Sequence, residues 1–123
     1  MTAREWELVF PWPRPLLNAN QRMHWAQKAT ITRQVRGAGE LMMRDANIPA
    51  LGRVEIGLDW YVKDRRRRDP DNLFPTYKAL ADALVDAEIV PDDTPEYVTR
   101  LMPRIVSDPY TEPRIILTVK ELA

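Results

Sequence analysis

The chain contains no cysteine and a single histidine, His24. The absence of cysteine excludes disulfides, thiolate metal sites and cysteine nucleophiles, and it suits a reducing compartment. One histidine excludes a multi-histidine metal site within one chain. Any bound metal ion must therefore be held mainly by oxygen ligands, which favours magnesium or manganese.

Long apolar runs are also missing. No stretch approaches the roughly 18 apolar residues that span a membrane. The first residues, MTAREWE, carry charge and lack the apolar segment of a secretory signal. The 123 residues are 45% hydrophobic and 29% charged, which is typical of a globular protein. We therefore expect one domain over residues 1–123, in the cytoplasm and without membrane contact.

The net charge of zero conceals an asymmetry between two halves of the chain. Residues 1–68 carry 13 Lys and Arg against 7 Asp and Glu (+6), and residues 69–123 carry 5 against 11 (−6). The sign changes within residues 64–72, which read DRRRRDPDN. Arginines bind phosphates and carboxylates bind cations, so this pattern favours a metal-dependent enzyme that acts on a polyanion.

Hydrophobic patterning predicts an α+β fold in the order β-α-β-α-β-β, a mixed sheet covered by two helices. The predicted strands are 5–10, 53–63, 96–106 and 113–120, the predicted helices are 23–46 and 73–87, and 14–22 is a loop. Asn72 is the expected N-cap of the second helix, with Pro75 in its first turn. Gly37 and Gly39 weaken the prediction at the centre of the first helix.

Asp69 and Asp71 flank Pro70 after the second predicted strand. In an extended segment, residues two apart point the same way, so both carboxylates could face one ion. Pro70 restricts its own φ and favours an extended Asp69. The alternative is a surface turn, in which Asp and Pro are common and which is the more frequent setting of such a pattern taken alone.

Asp92 and Asp93 form a second acidic pair, after the predicted helix 73–87. A helix that packs back on the sheet could bring this pair towards the first one. Carboxylates gathered without a cation repel one another and raise each other's pKa, and a divalent metal ion removes that penalty. The alternative is a polar turn over residues 91–95.

Lys78 follows Asp71 by seven residues, which is close to two helical turns. If the segment is helical, Asp71, Lys78 and Asp82 share a face. A lysine there could neutralise charge that develops on a phosphate or orient a nucleophilic water. The alternative is an exposed lysine that pairs with Asp82 at i+4.

The basic run consists of Arg65, Arg66, Arg67 and Arg68. Beside a candidate metal site we interpret it as a phosphate-binding segment, and the alternative is a solvated loop. If the strand continues through the run, Arg65 and Arg67 point with Asp69, and the other two arginines point away.

For three tryptophans and the single histidine we expect structural roles. Trp12, Trp25 and Trp60 are expected in the core or an interface. For Trp12 and Trp25 the alternative is base stacking, for which the sequence gives no further support. His24 is expected to be a polar loop or helix residue rather than a ligand or base.

Residues 64–98, DRRRRDPDNLFPTYKALADALVDAEIVPDDTPEYV, resemble the RusA family of Holliday junction resolvases, small endonucleases common in phages and prophages. Residues 10–21, FPWPRPLLNANQ, resemble the N-terminal strand and following loop of that family. The combination of a basic run, D-x-D-N, a helix that ends in D-x-L and a D-D pair is rather specific.

The resemblance implies a homodimer that binds four-way DNA junctions and makes paired nicks in them. The nicking requires Mg²⁺, for which Mn²⁺ substitutes. By matching positions, Asp69, Asp71 and Asp93 correspond to essential acidic residues of the family, and Asp92 is their acidic neighbour and a further metal ligand. Lys78 corresponds to the essential lysine, but it lies three residues later than in many members because residues 74–76 look inserted.

We therefore interpret the chain as a magnesium-dependent, structure-selective endodeoxyribonuclease. It would resolve Holliday junctions in recombination, repair or phage DNA processing, with Asp69, Asp71, Asp93 and Lys78 as catalytic residues. The basic run would position the DNA backbone, and selectivity would come from DNA shape. The alternatives are a less selective branch or flap nuclease and a non-catalytic, architectural DNA-binding protein.

Overall fold

The computed structural model describes residues 3–19 and 22–122. Asn20, in the predicted loop 14–22, lies outside the described residues. The elements, in chain order, are β1 (Glu5–Phe10), α1 (Trp25–Asp45), β2 (Val54–Val62), a 3₁₀ helix (Pro70–Leu73), α2 (Phe74–Asp86), β3 (Val98–Arg100), β4 (Arg104–Ser107) and β5 (Arg114–Glu121). A mixed five-stranded sheet with two helices confirms the α+β prediction.

The sheet is centred on β5 and β2, which pair antiparallel. β1 lies antiparallel on the other side of β5, with Phe10 opposite Ile115. β3 and β4 both pair parallel with β2 along its free edge, with Val98 opposite Val54 and Arg104 opposite Asp59. The parallel pairs require a crossover, and α2 lies in the connection between β2 and β3.

The predicted strand 96–106 is wrong as a single element, since the chain forms two short strands there with a break at residues 101–103. Pro103 has no backbone N–H to donate to a ladder. The hydroxyl of buried Tyr77 lies 2.9 Å from the carbonyl oxygens of both Ile56 and Leu101, between which its single proton is shared. This tyrosine ties α2 to the sheet at the point where the edge strand is interrupted.

The first helix continues unbroken through its two glycines over 21 residues. Its buried positions are Val35, Gly39 and Met43, four residues apart and therefore on one face. A Cβ at Gly39 would lie 2.9 Å from side-chain atoms of both Leu80 and Ala83. The glycine thus permits close packing of α1 against α2, which outweighs its low helix propensity.

The second helix is buried around most of its circumference. Its buried residues are Thr76, Tyr77, Ala79, Leu80, Ala81, Ala83 and Leu84. Lys78 is exposed and Asp82 is only partly covered, so this pair marks the side of α2 that faces solvent. The packing of the helix therefore fixes which of its polar residues can take part in a site.

The predicted N-cap at Asn72 is wrong. Asp69 caps the 3₁₀ helix instead, because its side chain accepts a hydrogen bond from the backbone N–H of Asp71 at 2.9 Å. The 3₁₀ helix then leads directly into α2, which begins without a side-chain cap. Pro75 lies in the first turn of α2, as predicted.

Candidate functional site

Two arginines of the basic run, Arg66 and Arg68, form ion pairs with Asp64. Arg68 Nη1 donates to Asp64 Oδ1 at 2.6 Å, and Arg66 Nη2 donates to Asp64 Oδ2 at 3.2 Å. The Arg68 guanidinium also lies over the ring of Trp60, 5.2 Å from its centroid, and the Arg68 side chain is 17% exposed. The hydrogen bond from Arg68 and then that from the Arg66 backbone hold the pKa of Asp64 well below its usual value. These two arginines fix the course of the loop.

The other two arginines of the run, Arg65 and Arg67, are exposed and form no hydrogen bond or ion pair with any described residue. β2 ends at Val62, close to the predicted end at residue 63, so the strand does not continue through the run and the alternation considered for its side chains does not apply. Arg65 and Arg67 are nevertheless the two members of the run whose charges are available to an external anion.

Asp69 and Asp71 are exposed and also lack an ion pair within the described part of the chain. Asp69 is extended, with φ −100° and ψ 119°, whereas Asp71 already belongs to the 3₁₀ helix. The two carboxylates are therefore not side by side on a strand, as the sequence argument assumed. One oxygen of Asp69 caps Asp71, and the remaining carboxylate oxygens are open to a cation.

A second group of charges, which we call the Asp93 cluster, consists of Lys78, Asp82, Asp93 and Arg100. Lys78 Nζ lies 2.8 Å from Asp82 Oδ1, as the i,i+4 spacing predicts, and 2.5 Å from Asp93 Oδ2. Asp71, which the helical-face argument placed with Lys78, is not among its partners. The Asp93 cluster therefore joins α2 to the turn after it.

Arg100, at the end of β3, is the member that the sequence analysis missed. Its Nη2 lies 3.1 Å from Asp93 Oδ2 and 3.4 Å from the Asp93 carbonyl oxygen. No spacing rule links these two residues, because their contact depends on how β3 pairs with β2 beside α2. A basic residue on the strand after the acidic pair was the only signal available.

Two members of the Asp93 cluster, Lys78 and Asp93, have pKa values shifted in favour of their charged forms. The hydrogen bond from Lys78 lowers the pKa of Asp93 to about 2, although partial burial acts in the opposite direction. Hydrogen bonds to Asp82 and Asp93 raise the pKa of Lys78. Arg36, on α1, extends the network, since it lies 3.9 Å from Asp82 and forms a two-point ion pair with Asp86.

The four predicted metal ligands fall into two groups. In residues 3–19 and 22–122, no three side chains of His, Cys, Asp or Glu are close enough to hold a metal ion together. Asp93 Oδ2 is bound to Lys78 and Arg100, and Asp92 Oδ1 accepts the backbone N–H of Asp93 at 2.8 Å. The donor chemistry suits Mg²⁺, but this arrangement does not form a complete metal site, so the ligand assignment stays a prediction.

The ring-bearing residues differ in their environments. Trp12 stacks on Phe10 at 4.6 Å between ring centroids, and Trp60 packs against the core, as expected. Trp25 is 76% exposed and so does not belong to the core. His24 is the N-cap of α1, where its Nδ1 accepts the backbone N–H of Ala26 at 3.2 Å. This agrees with its prediction as a polar residue.

No family model matches this chain. A protein of Xylella fastidiosa (strain Temecula1), described as an uncharacterized protein, is 33% identical to it over 85 residues. The match covers 65% of this chain and 56% of that protein, so the chain spans just over half the length of the relative it matches. None of the three helices in the described part of the chain is long and apolar enough to cross a membrane.

Proposed function

We propose that this chain is a magnesium-dependent, structure-selective endodeoxyribonuclease that resolves four-way DNA junctions by paired phosphodiester hydrolysis. The resemblance of residues 64–98 to the RusA family supports this function, and the geometry of the basic run and the neighbouring acids supports it independently. The biological setting in this proposal is recombination, repair or phage DNA processing in the cytoplasm.

The proposal is carried by two arginines and two aspartates that are neighbours in sequence and yet do not pair with one another. Arg65 and Arg67 precede Asp69 and Asp71 by a few residues, and none of the four forms an ion pair with a described residue. Opposite charges on an ordinary surface loop gain by pairing with one another. Here the cap at Asp69 and the 3₁₀ helix fix the backbone of the acids, so their natural partners are an external cation and external phosphates.

In this proposal Asp69, Asp71 and Asp93, with Asp92 as their neighbour, would hold Mg²⁺ or Mn²⁺, and the ion would supply an activated water for hydrolysis. Arg65 and Arg67 bind phosphates of the DNA backbone and set its register. Lys78 is the cation nearest to Asp93 and offsets negative charge on the scissile phosphate. Arg66 and Arg68 act on the DNA through the shape of the loop that they hold.

A homodimer completes the proposal, because a four-way junction has two equivalent strands to cut and closed two-fold pairing is the commonest oligomer. Light scattering at assay concentrations should therefore give about twice the chain mass of 14.3 kDa. A strict monomer that makes both nicks symmetrically would contradict this part of the proposal.

The decisive experiment is a cleavage panel with labelled four-way junctions, flaps and linear duplex, with and without Mg²⁺. Asp71→Asn is the test variant. Asp45→Asn is the matched control, since Asp45 is also exposed but lies at the far end of α1. Symmetric nicks in the junction alone, lost in Asp71→Asn and kept in the control, are the expected result. Cleavage of flaps and junctions at similar rates would instead identify a less selective branch nuclease.

One observation favours a second candidate, a DNA-binding protein without catalytic activity. The described residues hold no group of three acidic or histidine side chains suited to a metal ion. If that arrangement persists on DNA, the aspartates serve only to shape their turns. Junction binding in a gel shift, with no cleavage in either Mg²⁺ or Mn²⁺, would establish this function instead.

A further inference from the structure

Arg100 has no role in the function proposed above, yet it binds the same carboxylate oxygen as Lys78. Both cations reach Asp93 Oδ2, Lys78 from α2 at 2.5 Å and Arg100 from β3 at 3.1 Å. Arg100 also donates to the carbonyl oxygen of Asp93, so it contacts the turn at two points. A carboxylate bound by two cations from two separate elements has no need of a further counter-ion.

We propose that Lys78 and Arg100 are internal counter-ions of Asp93, which a divalent cation must displace before it can bind this carboxylate. The inference rests on the proposed function, in which Asp93 is a metal ligand. It also accounts for the disagreement between the predicted ligands and the described geometry: Asp93 carries the right donor atoms, but one of them, Oδ2, already binds two cations.

The exclusion is electrostatic. A divalent ion at Asp93 Oδ2 would lie within a few ångströms of an ammonium and a guanidinium group, and both repel it. Only 18% of the Asp93 side chain is exposed, so solvent screens this repulsion less than at an open surface. Metal binding and the two ion pairs therefore compete for the same oxygen.

The two cations are able to leave. The Lys78 side chain is 55% exposed and that of Arg100 is 36% exposed, so both charged groups can move into solvent. Lys78 keeps Asp82 as a partner after it releases Asp93, and this holds it beside the site. Asp93, by contrast, is held in place by the hydrogen bond between its backbone N–H and Asp92. The released ammonium and guanidinium groups are then available to a phosphate of the DNA.

The test measures Mn²⁺ binding to the DNA-free protein, by electron paramagnetic resonance of the free ion and by calorimetry. The variants are Arg100→Gln and Lys78→Met, each of which removes one counter-ion. Removal of one partly exposed charge at this distance should tighten Mn²⁺ binding by about three- to tenfold. Arg104→Gln is the matched control, because Arg104 forms a two-point ion pair with Asp59 on the same sheet edge and does not contact Asp93.

Tighter binding in Arg100→Gln and Lys78→Met, with no change in Arg104→Gln, supports the inference. Unchanged or weaker binding in both variants, or equal tightening in the control, overturns it. Addition of Asp93→Asn to Arg100→Gln should abolish the gain, and a gain that persists without the carboxylate also overturns the inference. Circular dichroism checks that each variant is folded, and Lys78→Met provides the test alone if Arg100→Gln is not.

The cleavage panel separates this inference from the proposed function. If the wild type resolves junctions in Mg²⁺ but Mn²⁺ binding is equal in all variants, the function stands and the counter-ion inference fails. If Mn²⁺ binding tightens as expected but no DNA is cut, the counter-ions are established and the nuclease function fails.

Discussion

Two pairs of carboxylates lie near α2 and have opposite electrostatic environments. Asp69 and Asp71 are exposed and without a cation from the described residues, although four arginines precede them in the chain. Asp82 and Asp93 are largely covered and are neutralised by Lys78 and Arg100. Proximity in sequence therefore does not decide which charges pair.

The backbone accounts for the difference. Asp93 and Lys78 are 15 residues apart, but the turn after α2 returns the acid to the exposed side of the helix. Asp69 and Arg68 are adjacent, but Arg68 is held by Asp64 and Trp60 while Asp69 caps the 3₁₀ helix. Asp69 and Asp71 are therefore open to ions from outside the chain. In the inference drawn above, Asp93 must first lose its internal counter-ions.

The largest effect is expected at Asp69 and Asp71, which we call the open pair. Asp71→Asn should lower the single-turnover rate of junction cleavage by at least about a hundredfold, because it removes a charge proposed to bind the metal ion. Junction binding without Mg²⁺ should be equal or tighter, since one negative charge beside the phosphates is lost. Gel shift and cleavage assays on one preparation measure both, with Asp45→Asn as the control. A wild-type rate in Asp71→Asn would show that the open pair has no catalytic role.

The second prediction concerns the covered pair, Asp82 and Asp93, and tests it through their shared partner Lys78. If Lys78 offsets charge in the chemical step, Lys78→Ala should lower the single-turnover rate by about a hundredfold, with a much smaller loss of junction affinity. Lys78→Arg should restore little activity because the guanidinium is larger and planar.

The competing interpretation treats Lys78 as a helix-surface residue paired with Asp82 and Asp93. It predicts a near-normal rate and a stability loss of about 0.5 kcal/mol for the i,i+4 pair. Rates and thermal unfolding measured on the same variant distinguish the two. A full rate would mean that residues 74–76 displace the lysine from the site.

An intermediate effect is expected from the basic run. Arg65→Ala with Arg67→Ala should weaken binding to every DNA form, and each lost phosphate contact should reduce the log–log salt slope by about 0.9. Arg33→Ala, which removes another exposed arginine on α1, is the control. An unchanged slope in the double variant would show that these side chains do not reach the phosphates.

The smallest effect concerns stability against acid. The folded-state pKa of Asp93, about 2, lies below that of an unfolded aspartate, about 3.9. The ion pairs therefore stabilise the fold fully above about pH 4, and this contribution is lost as the pH falls towards 2. Asp93→Asn should lower the free energy of unfolding at pH 7 and have progressively less effect below pH 4. Urea unfolding at several pH values measures this, and a loss independent of pH would contradict the ion-pair assignment.

Most of the fold could be predicted from the sequence because its signals are local. Alternation identified β2 and β5, and helical periodicity identified α1 and α2. The break between β3 and β4 has a local signal in Pro103, but its other cause, a tyrosine hydroxyl that arrives from α2, could not be predicted from the segment itself.

The candidate site was only partly predictable for the same reason. The i,i+4 rule identified the contact between Lys78 and Asp82, which is local to one helix. The contact between Arg100 and Asp93 depends on the placement of β3, and a basic residue on the strand after the acidic pair was too weak a signal to predict it. The 3₁₀ helix replaced the expected extended pair because Asp69 could cap it and Pro70 fits its first position.

Tyr77 and Lys78 are consecutive residues of α2, and their side chains contact two points of the segment that follows the helix, Leu101 and Asp93. Tyr77 donates to Leu101 inside the protein, and Lys78 binds at the surface the carboxylate that also holds Arg100. The two residues therefore act together on the position of the edge strand and of Arg100. A homologue that loses the tyrosine hydroxyl must supply another donor for the Leu101 carbonyl oxygen, because that of Ile56 also accepts the backbone N–H of Leu101, or its edge strand shifts and Arg100 moves with it. We therefore expect positions 77, 78, 93 and 100 to change together among relatives of this chain.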